Sequence, residues 1–322
     1  MTQLNWGVLG TAGIAKHWLC PALHASPRGR FAGIASRSLA SAEAFAAPYQ
    51  NVKAYGEYDA LLADPSIDAI YIPLPNTDHV SWTLKCLAAG KHVLCEKPIA
   101  MQADEIDQLI AVRDRTGLLA AEAFMVTHHP QWHRVREWIN AGKIGKLKHV
   151  QGAFSYYNDD PTNIRNQPEF GGGALPDIGV YPSVTTRFVT GEEPLRARST
   201  IEWHNGVDTT ARVQADFPGF GLDFYVSMRM GPQQEMVFHG ETGFITVSAP
   251  FNPHSFGPAV IELRQANGER HTESFEPVSH YTLQFDAFHN TVLDGTPFAC
   301  PLEFSKQNQA MIDMIYAGEM KV

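Results

Sequence analysis

At 322 residues, with 44% hydrophobic and 18% charged side chains, the chain has the composition of a soluble globular protein and length for two domains with their own cores. A net charge of −9 at pH 7 excludes nucleic acid and anionic membrane surfaces as general partners, so an anionic ligand has to be held by local donors. The four cysteines (Cys20, Cys86, Cys95, Cys300) form no C-x-x-C pair, no apolar run approaches a membrane span, and the N-terminus is not leader-like, so a cytoplasmic protein without disulfides is expected.

From Leu4 to about Phe124 short apolar runs alternate with helical patterns. Residues 6–9, 31–35, 69–72, 92–95 and 118–121 are continuously apolar, as in strands buried on both faces of a parallel sheet. Residues 41–47, 58–63, 79–89 and 103–115 have helix-forming composition, two of them stopped by Gly90 and Gly117. The pattern predicts a doubly wound α/β domain over 1–124. Beyond it come a helix at 131–141, a strand at 148–157 and an Asn-, Asp- and Pro-rich loop. Strand-like runs follow at 197–204, 209–217, 222–230, 235–239 and 244–247, and a last helix at about 304–317. Consecutive strands without intervening helices predict an open, mostly antiparallel sheet in a second α/β domain over 125–322.

The turn after the first strand, Gly10-Thr11-Ala12-Gly13-Ile14-Ala15, stands where a dinucleotide-binding fold aims backbone N–H groups at a pyrophosphate. It departs from G-x-G-x-x-G/A at Ala12, which occupies the second glycine's place. The second strand ends in Ser36-Arg37 rather than in the carboxylate that NAD enzymes place on the ribose 2′-OH. A guanidinium pairs with a 2′-phosphate that a carboxylate would repel, so NADP is expected, with NAD possible.

Two further motifs suggest chemistry. Glu96-Lys97-Pro98 closes an apolar strand, and Gly171-Gly172-Gly173 opens a segment carrying Asp177 and Tyr181, four apart and so on one face of a helix. A partly desolvated lysine and an acidic hydroxyl make an acid/base pair, because a free tyrosine, with a pKa of about 10, is a poor base unless a cation stabilises its phenolate. Pro182 within the presumed helix predicts a kink there. Asn76 and His79 follow the fourth strand at its ligand-binding end; Asn76 suits either a cofactor contact or a helix N-cap. The adjacent His128 and His129 point different ways without companion ligands, and no metal is expected.

Taken together, residues 10–15, 35–37, 95–98 and 171–181 resemble the Gfo/Idh/MocA oxidoreductase family over essentially the whole chain. Tyr181 stands where most members carry histidine, which resembles the branch containing dimeric dihydrodiol dehydrogenase and NADP-dependent D-xylose 1-dehydrogenase. Residues 53–56, 86–91 and 163–165 resemble the same branch. The resemblance implies a Rossmann domain that binds NADP and a substrate-binding α/β domain often used for dimerisation, hence a homodimer or higher homo-oligomer. It implies that Lys97 and Tyr181 meet at the nicotinamide, and it departs from the family at Thr127, where relatives often have arginine. The function expected is hydride transfer between NADP(H) and a sugar, polyol or diol. The alternative is a non-catalytic nucleotide-binding sensor of the same fold, against which the joint retention of Lys97, Asp177 and Tyr181 argues. Catalysis is assigned to Lys97, Tyr181 and Asp177, and cofactor binding to residues 10–14 (Gly10, Thr11, Ala12, Gly13, Ile14), Ser36, Arg37, Asn76, His79, Glu96 and Lys97. Substrate binding is assigned to Phe154, Arg165, Asp177 and Tyr181. Tyr281 is expected either near the cofactor or in the core.

Overall fold

The computed structural model describes residues 3–253 and 255–320. The chain divides into two compact units, one running to His128 and taking back Ser279–Lys306, the other comprising His129–Val278 and the chain from Gln307 on.

The first unit is built on strands β1 (Leu4–Leu9), β2 (Gly29–Ala35), β3 (Lys53–Tyr55), β4 (Ala69–Ile72), β5 (His92–Cys95) and β6 (Ala120–Glu122). They form one parallel sheet in the order β3-β2-β1-β4-β5-β6, the doubly wound arrangement. The apolar runs are continuous because both faces are covered: Trp6, Val8, Tyr71 and Leu94 enter one core, and Leu9, Ile70, Ile72 and Val93 the other. The helices are α1 (Cys20–Ala25), α2 (Leu39–Ala46), α3 (Tyr58–Leu62), α4 (His79–Ala88) and α5 (Glu105–Thr116). Ser38 caps α2, its Oγ accepting from Ser41 N at 3.4 Å.

The second unit contains α6 (Pro130–Asn140), β7 (Leu147–Tyr157) and α7 (Val180–Thr190), then β8 (Arg196–His204), β9 (Val207–Phe217), β10 (Phe220–Ser227), β11 (Arg229–Gly240), β12 (Gly243–Val247), β13 (Val260–Gln265) and β14 (Arg270–Ser274). Its sheet runs β14-β13-β12-β11-β7-β10-β9-β8, antiparallel throughout except where β10 lies parallel to β7. In β9, Ala211, Val213 and Ala215 are buried while Arg212, Gln214 and Asp216 are exposed, so one face is covered and the other solvated.

Two helices complete the chain: α8 (His280–Asp294), capped by Ser279 Oγ on Thr282 N at 3.2 Å, and α9 (Leu302–Ala317). The sequence patterns assign everything after residue 124 to one continuous domain, yet α8 packs in the first unit. Phe285 and Phe288 lie 5.0 and 4.8 Å from the Trp6 ring. A one-way hydrogen-bond chain fixes this docking. Trp6 Nε1 donates to His289 Nε2 (2.9 Å), which places the imidazole proton on Nδ1 facing Ser26 Oγ (3.0 Å); Ser26 in turn donates to Asp286 Oδ1 (2.6 Å). Burial lowers the His289 pKa to about 4, which keeps the ring neutral and able to accept from Trp6.

Candidate active site

In the first unit the expected cofactor residues fall at the carboxyl ends of the parallel strands, where ligands of doubly wound sheets bind. Gly10 turns the chain out of β1 at φ +90°, its N–H held by Ala35 O at 2.8 Å. A Cβ there would stand 3.0 Å from the end of the Leu74 side chain, a tight fit, and it is the positive φ that favours glycine. Ala12 O accepts from Lys16 N at 3.1 Å, and helical structure begins at Gly13, which gives the turn the unsatisfied N–H groups of a helix start. A π turn, Ala15–Leu19, follows. Beside it, buried Ser36 accepts from Ser38 N at 3.4 Å, while Arg37 is exposed. The Arg37 charge acts on the Tyr58 hydroxyl, which lies 3.7 Å from the position a Gly10 Cβ would take; Tyr58 gave no signal in the sequence.

Glu96 and Lys97 are half-buried at the end of β5, and the Lys97-Pro98 peptide is cis. Glu96 Oε1 accepts from Tyr71 OH at 2.7 Å, and Oε2 stands 3.3 Å from Lys97 N. Asn76 opens a short 3-10 turn (Asn76–Asp78) that runs into α4, and the N-cap position of α4 falls on Asp78 rather than on Asn76. His79 is fully buried, its Nδ1 2.7 Å from Pro98 O and its Nε2 2.8 Å from Leu74 O. With both ring nitrogens on backbone carbonyls, it supports the site's scaffold rather than facing a ligand. Glu122, 3% exposed at the end of β6, accepts from Ile99 N at 2.9 Å, and burial raises its carboxyl to about 7. The Tyr281 ring lies 6.0 Å from that of Trp18.

In the second unit two of the three consecutive glycines are dictated by crowding. A side chain on Gly172 would meet Arg165 O at 2.5 Å, and one on Gly173, at φ +139°, would collide with Asp208 Oδ1. Asp208 is buried, accepts from Leu175 N at 2.6 Å and from Tyr316 OH at 2.7 Å, and is pushed by burial up to about 6. It starts the π turn Leu175–Gly179, which holds Asp177 and runs directly into α7. No break falls at Pro182 itself, which sits in the first turn of α7 where a missing N–H is tolerated; the irregularity lies at the π-to-α junction ahead of it.

Asp177 Oδ2 accepts from Tyr156 OH at 2.5 Å and from Arg165 Nε at 2.9 Å. The carboxylate raises the Arg165 pKa, and the guanidinium also feels the Tyr156 and Tyr181 hydroxyls. Tyr181 is 6% exposed, its ring 5.5 Å from both Phe154 and Phe251, which stack on each other at 4.9 Å. The structure thus joins Phe154 to Tyr181 and Arg165 to Asp177. It adds Tyr156, Phe251 and Asp208, none of which lies in a recognisable motif. Among the described residues no group of three or more His, Cys, Asp or Glu side chains could hold a metal ion, and no helix is long and apolar enough to cross a membrane.

Comparison with known proteins gives this arrangement its context. Residues 4–124 match the model of the oxidoreductase family with an NAD-binding Rossmann fold, and residues 132–246 that of the GFO/IDH/MocA C-terminal domain. An uncharacterized oxidoreductase of Rhizobium meliloti is 36% identical, covering 98% of this chain and 96% of its own. D-xylose 1-dehydrogenase (NADP(+)) 2 of Haloferax volcanii is 34% identical, covering 97% and 96%. The crystal structure of a 3-ketoreductase from Actinomadura kijaniata with NADP and TDP-benzene superposes with a TM-score of 0.92 at 29% identity, covering 100% of this chain and 99% of that one. A parallel sheet ending in a glycine turn, a second mostly antiparallel sheet and matches to both family models lead to one conclusion: the chain is a member of the Gfo/Idh/MocA oxidoreductase family.

Proposed function

We propose that the protein is an NADP-dependent oxidoreductase that interconverts a hydroxyl and a carbonyl on a sugar, polyol or diol. The observation that carries this reading is the convergence, at the carboxyl ends of β1, β2 and β5, of a glycine turn leading into a helix start, an exposed Arg37 and Lys97. The residues fit NADP: backbone N–H groups of 10–14 suit the pyrophosphate, and Ser36-Arg37, with no carboxylate beside them, suits a 2′-phosphate. Asn76 and Glu96 are proposed to complete the cofactor site, and His79 to support it from behind. NADP supplies the hydride acceptor or donor when bound.

The chain's own residues handle the proton. Tyr181 Oη takes the substrate hydroxyl's proton in oxidation and returns it in reduction, and Lys97 stabilises its phenolate. Arg165, already within electrostatic reach of Tyr181, adds a second positive charge. Asp177 holds Arg165 in place and, with Tyr156, offers hydrogen-bonding groups to a polyhydroxylated substrate, while Phe154 and Phe251 give the Tyr181 ring an apolar, water-poor setting. The proposal extends to a cytoplasmic homo-oligomer. The free, buried cysteines suit a reducing compartment, and the exposed Leu195, Trp203 and Met320 near edge strand β8 suit a self-association surface. Sedimentation would read the oligomer directly.

NADPH formation or consumption across aldoses, polyols, diols and dicarbonyls tests the function. Turnover of at least one sugar or diol is expected. Tight NADP binding without turnover of any would make the protein a nucleotide sensor instead.

A further inference from the structure

The segment carrying Lys97 is gripped at a single peptide unit. The carbonyl of Pro98 and the N–H of Ile99 belong to the same peptide group, and each meets a different buried ionisable side chain. His79, at the start of α4, stands 2.7 Å from Pro98 O; Glu122, at the end of β6, accepts from Ile99 N at 2.9 Å. His79 Nε2 is at the same time 2.8 Å from Leu74 O; the neutral ring carries one N–H, and the clamp takes the tautomer in which Nδ1 donates it to Pro98 O. Both residues are enclosed, at 0% and 3% exposure, and neither presents its polar atoms to solvent or to a ligand.

We propose that His79 and Glu122 are positioning residues for Lys97, clamping the two polar ends of the Pro98–Ile99 peptide so that the lysine leaves β5 in one direction. The proposal rests on the reading of Lys97 as the cation that stabilises the Tyr181 phenolate. A peptide plane held at one end can still rotate about the Cα–Cα axis; held at both ends it cannot. Misplacing a catalytic group by an ångström costs on the order of a hundredfold in rate. The charged and titratable groups facing Glu122 are Glu96, Lys97 and Cys95, and those facing His79 are Asp78 and Lys97. The clamp therefore sits inside the electrostatic field of the lysine it orients.

The test uses the full-length protein with NADP⁺ and a sugar that it oxidises. Glu122→Leu is expected to lower kcat about a hundredfold with little change in the sugar's KM, and to speed hydrogen exchange at the Ile99 amide. Glu122→Gln, which keeps an acceptor for Ile99 N–H, should recover most of that loss and erase an inflection near pH 7 in the kcat profile. In a Lys97→Met background Glu122→Leu should cause no further loss. If Glu122→Leu does not fold, His79→Gln carries the test. A glutamine amide overlays the outer ring nitrogen, Nε2, and leaves the Nδ1 position facing Pro98 O without a donor, so a kcat loss of about tenfold is expected, again absent in the Lys97→Met background. Undiminished kcat, an unchanged Ile99 exchange rate, or equal losses with and without Lys97 would overturn the clamp. A Lys97→Met variant that turns over like the unaltered protein would instead remove the role of the lysine, and the clamp with it.

Discussion

Acidification should loosen α8 from β1 by protonating a single buried ring. His289 accepts from Trp6 Nε1 at 2.9 Å, which it can do only as the neutral imidazole, and burial lowers its pKa from 6.5 to about 4. Between those values the unfolded chain binds a proton that the folded chain refuses. The stabilisation is therefore intact above about pH 6.5 and is lost progressively as the pH falls toward 4. The separation of about 2.5 pH units, at roughly 1.4 kcal/mol each, amounts to about 3 kcal/mol. That is a large share of a typical domain's stability. Urea unfolding at several pH values across this range measures the slope, and His289→Gln is the control. Glutamine can accept from Trp6 and donate to Ser26 but does not titrate, so the variant should have a flatter acid limb by about that amount. Identical limbs in the two proteins would show that His289 is not the group responsible and that the hydrogen-bond chain is not what docks α8.

Arg37→Ala should weaken NADP binding about ten- to a hundredfold and leave NAD binding almost unchanged, as loss of one charge-assisted pair requires; titration of both cofactors reads it. Tyr181→Phe should lower kcat by about 10²–10⁴ while melting like the unaltered protein, because the ring still packs against Phe154 and Phe251. Gly173→Ala should cost about 3 kcal/mol by calorimetry, combining backbone strain at φ +139° with disturbance of the Asp208–Leu175 bond. Gly191→Ala, whose added methyl meets nothing within 4 Å, should cost only about 1 kcal/mol.

The parallel sheet was readable because strands covered on both faces read as continuous apolar runs, as 69–72 and, after His92, 93–95 do. β3 is a three-residue edge strand with exposed Lys53, and β14 carries Arg270, His271 and Glu273, so neither has a hydrophobic signature. The destination of α8 was not readable either, since its apolar face would suit any core and the contacts that select one, such as Trp6–His289 and Ser26–Asp286, join residues about 260 to 283 positions apart in sequence. In the site, motifs exposed the groups proposed to act: the glycine turn, Arg37, Lys97, Asp177 and Tyr181. What holds those groups stayed hidden. Glu122 and Asp208 are isolated carboxylates in strand-like runs, and nothing in their local spacing distinguishes a buried acceptor for a distant N–H from a solvated surface charge. Tyr156 and Phe251 likewise acquire meaning only when β7 and the chain after β12 are brought to α7.

The two π turns govern angular phase. In each, an N–H reaches back five residues, Cys20 to Ala15 and Val180 to Leu175, so the helix carries one residue more than its length in α geometry would hold. One α-helical residue is worth about 100° of rotation. Asp177 lies within such a turn and Tyr181 just beyond it, so the surplus residue decides which way the carboxylate faces relative to the phenol. A regular helix of the same composition would swing Asp177 off Arg165 and Tyr156 while leaving Tyr181 among its phenylalanines. The helix behind the glycine turn has the same property: Thr11 to Ile14 and the Trp18 face are set at an angle to one another by a count of residues rather than by any side chain. Deleting a single residue from either helix would therefore turn the groups on its two sides by about 100° relative to each other.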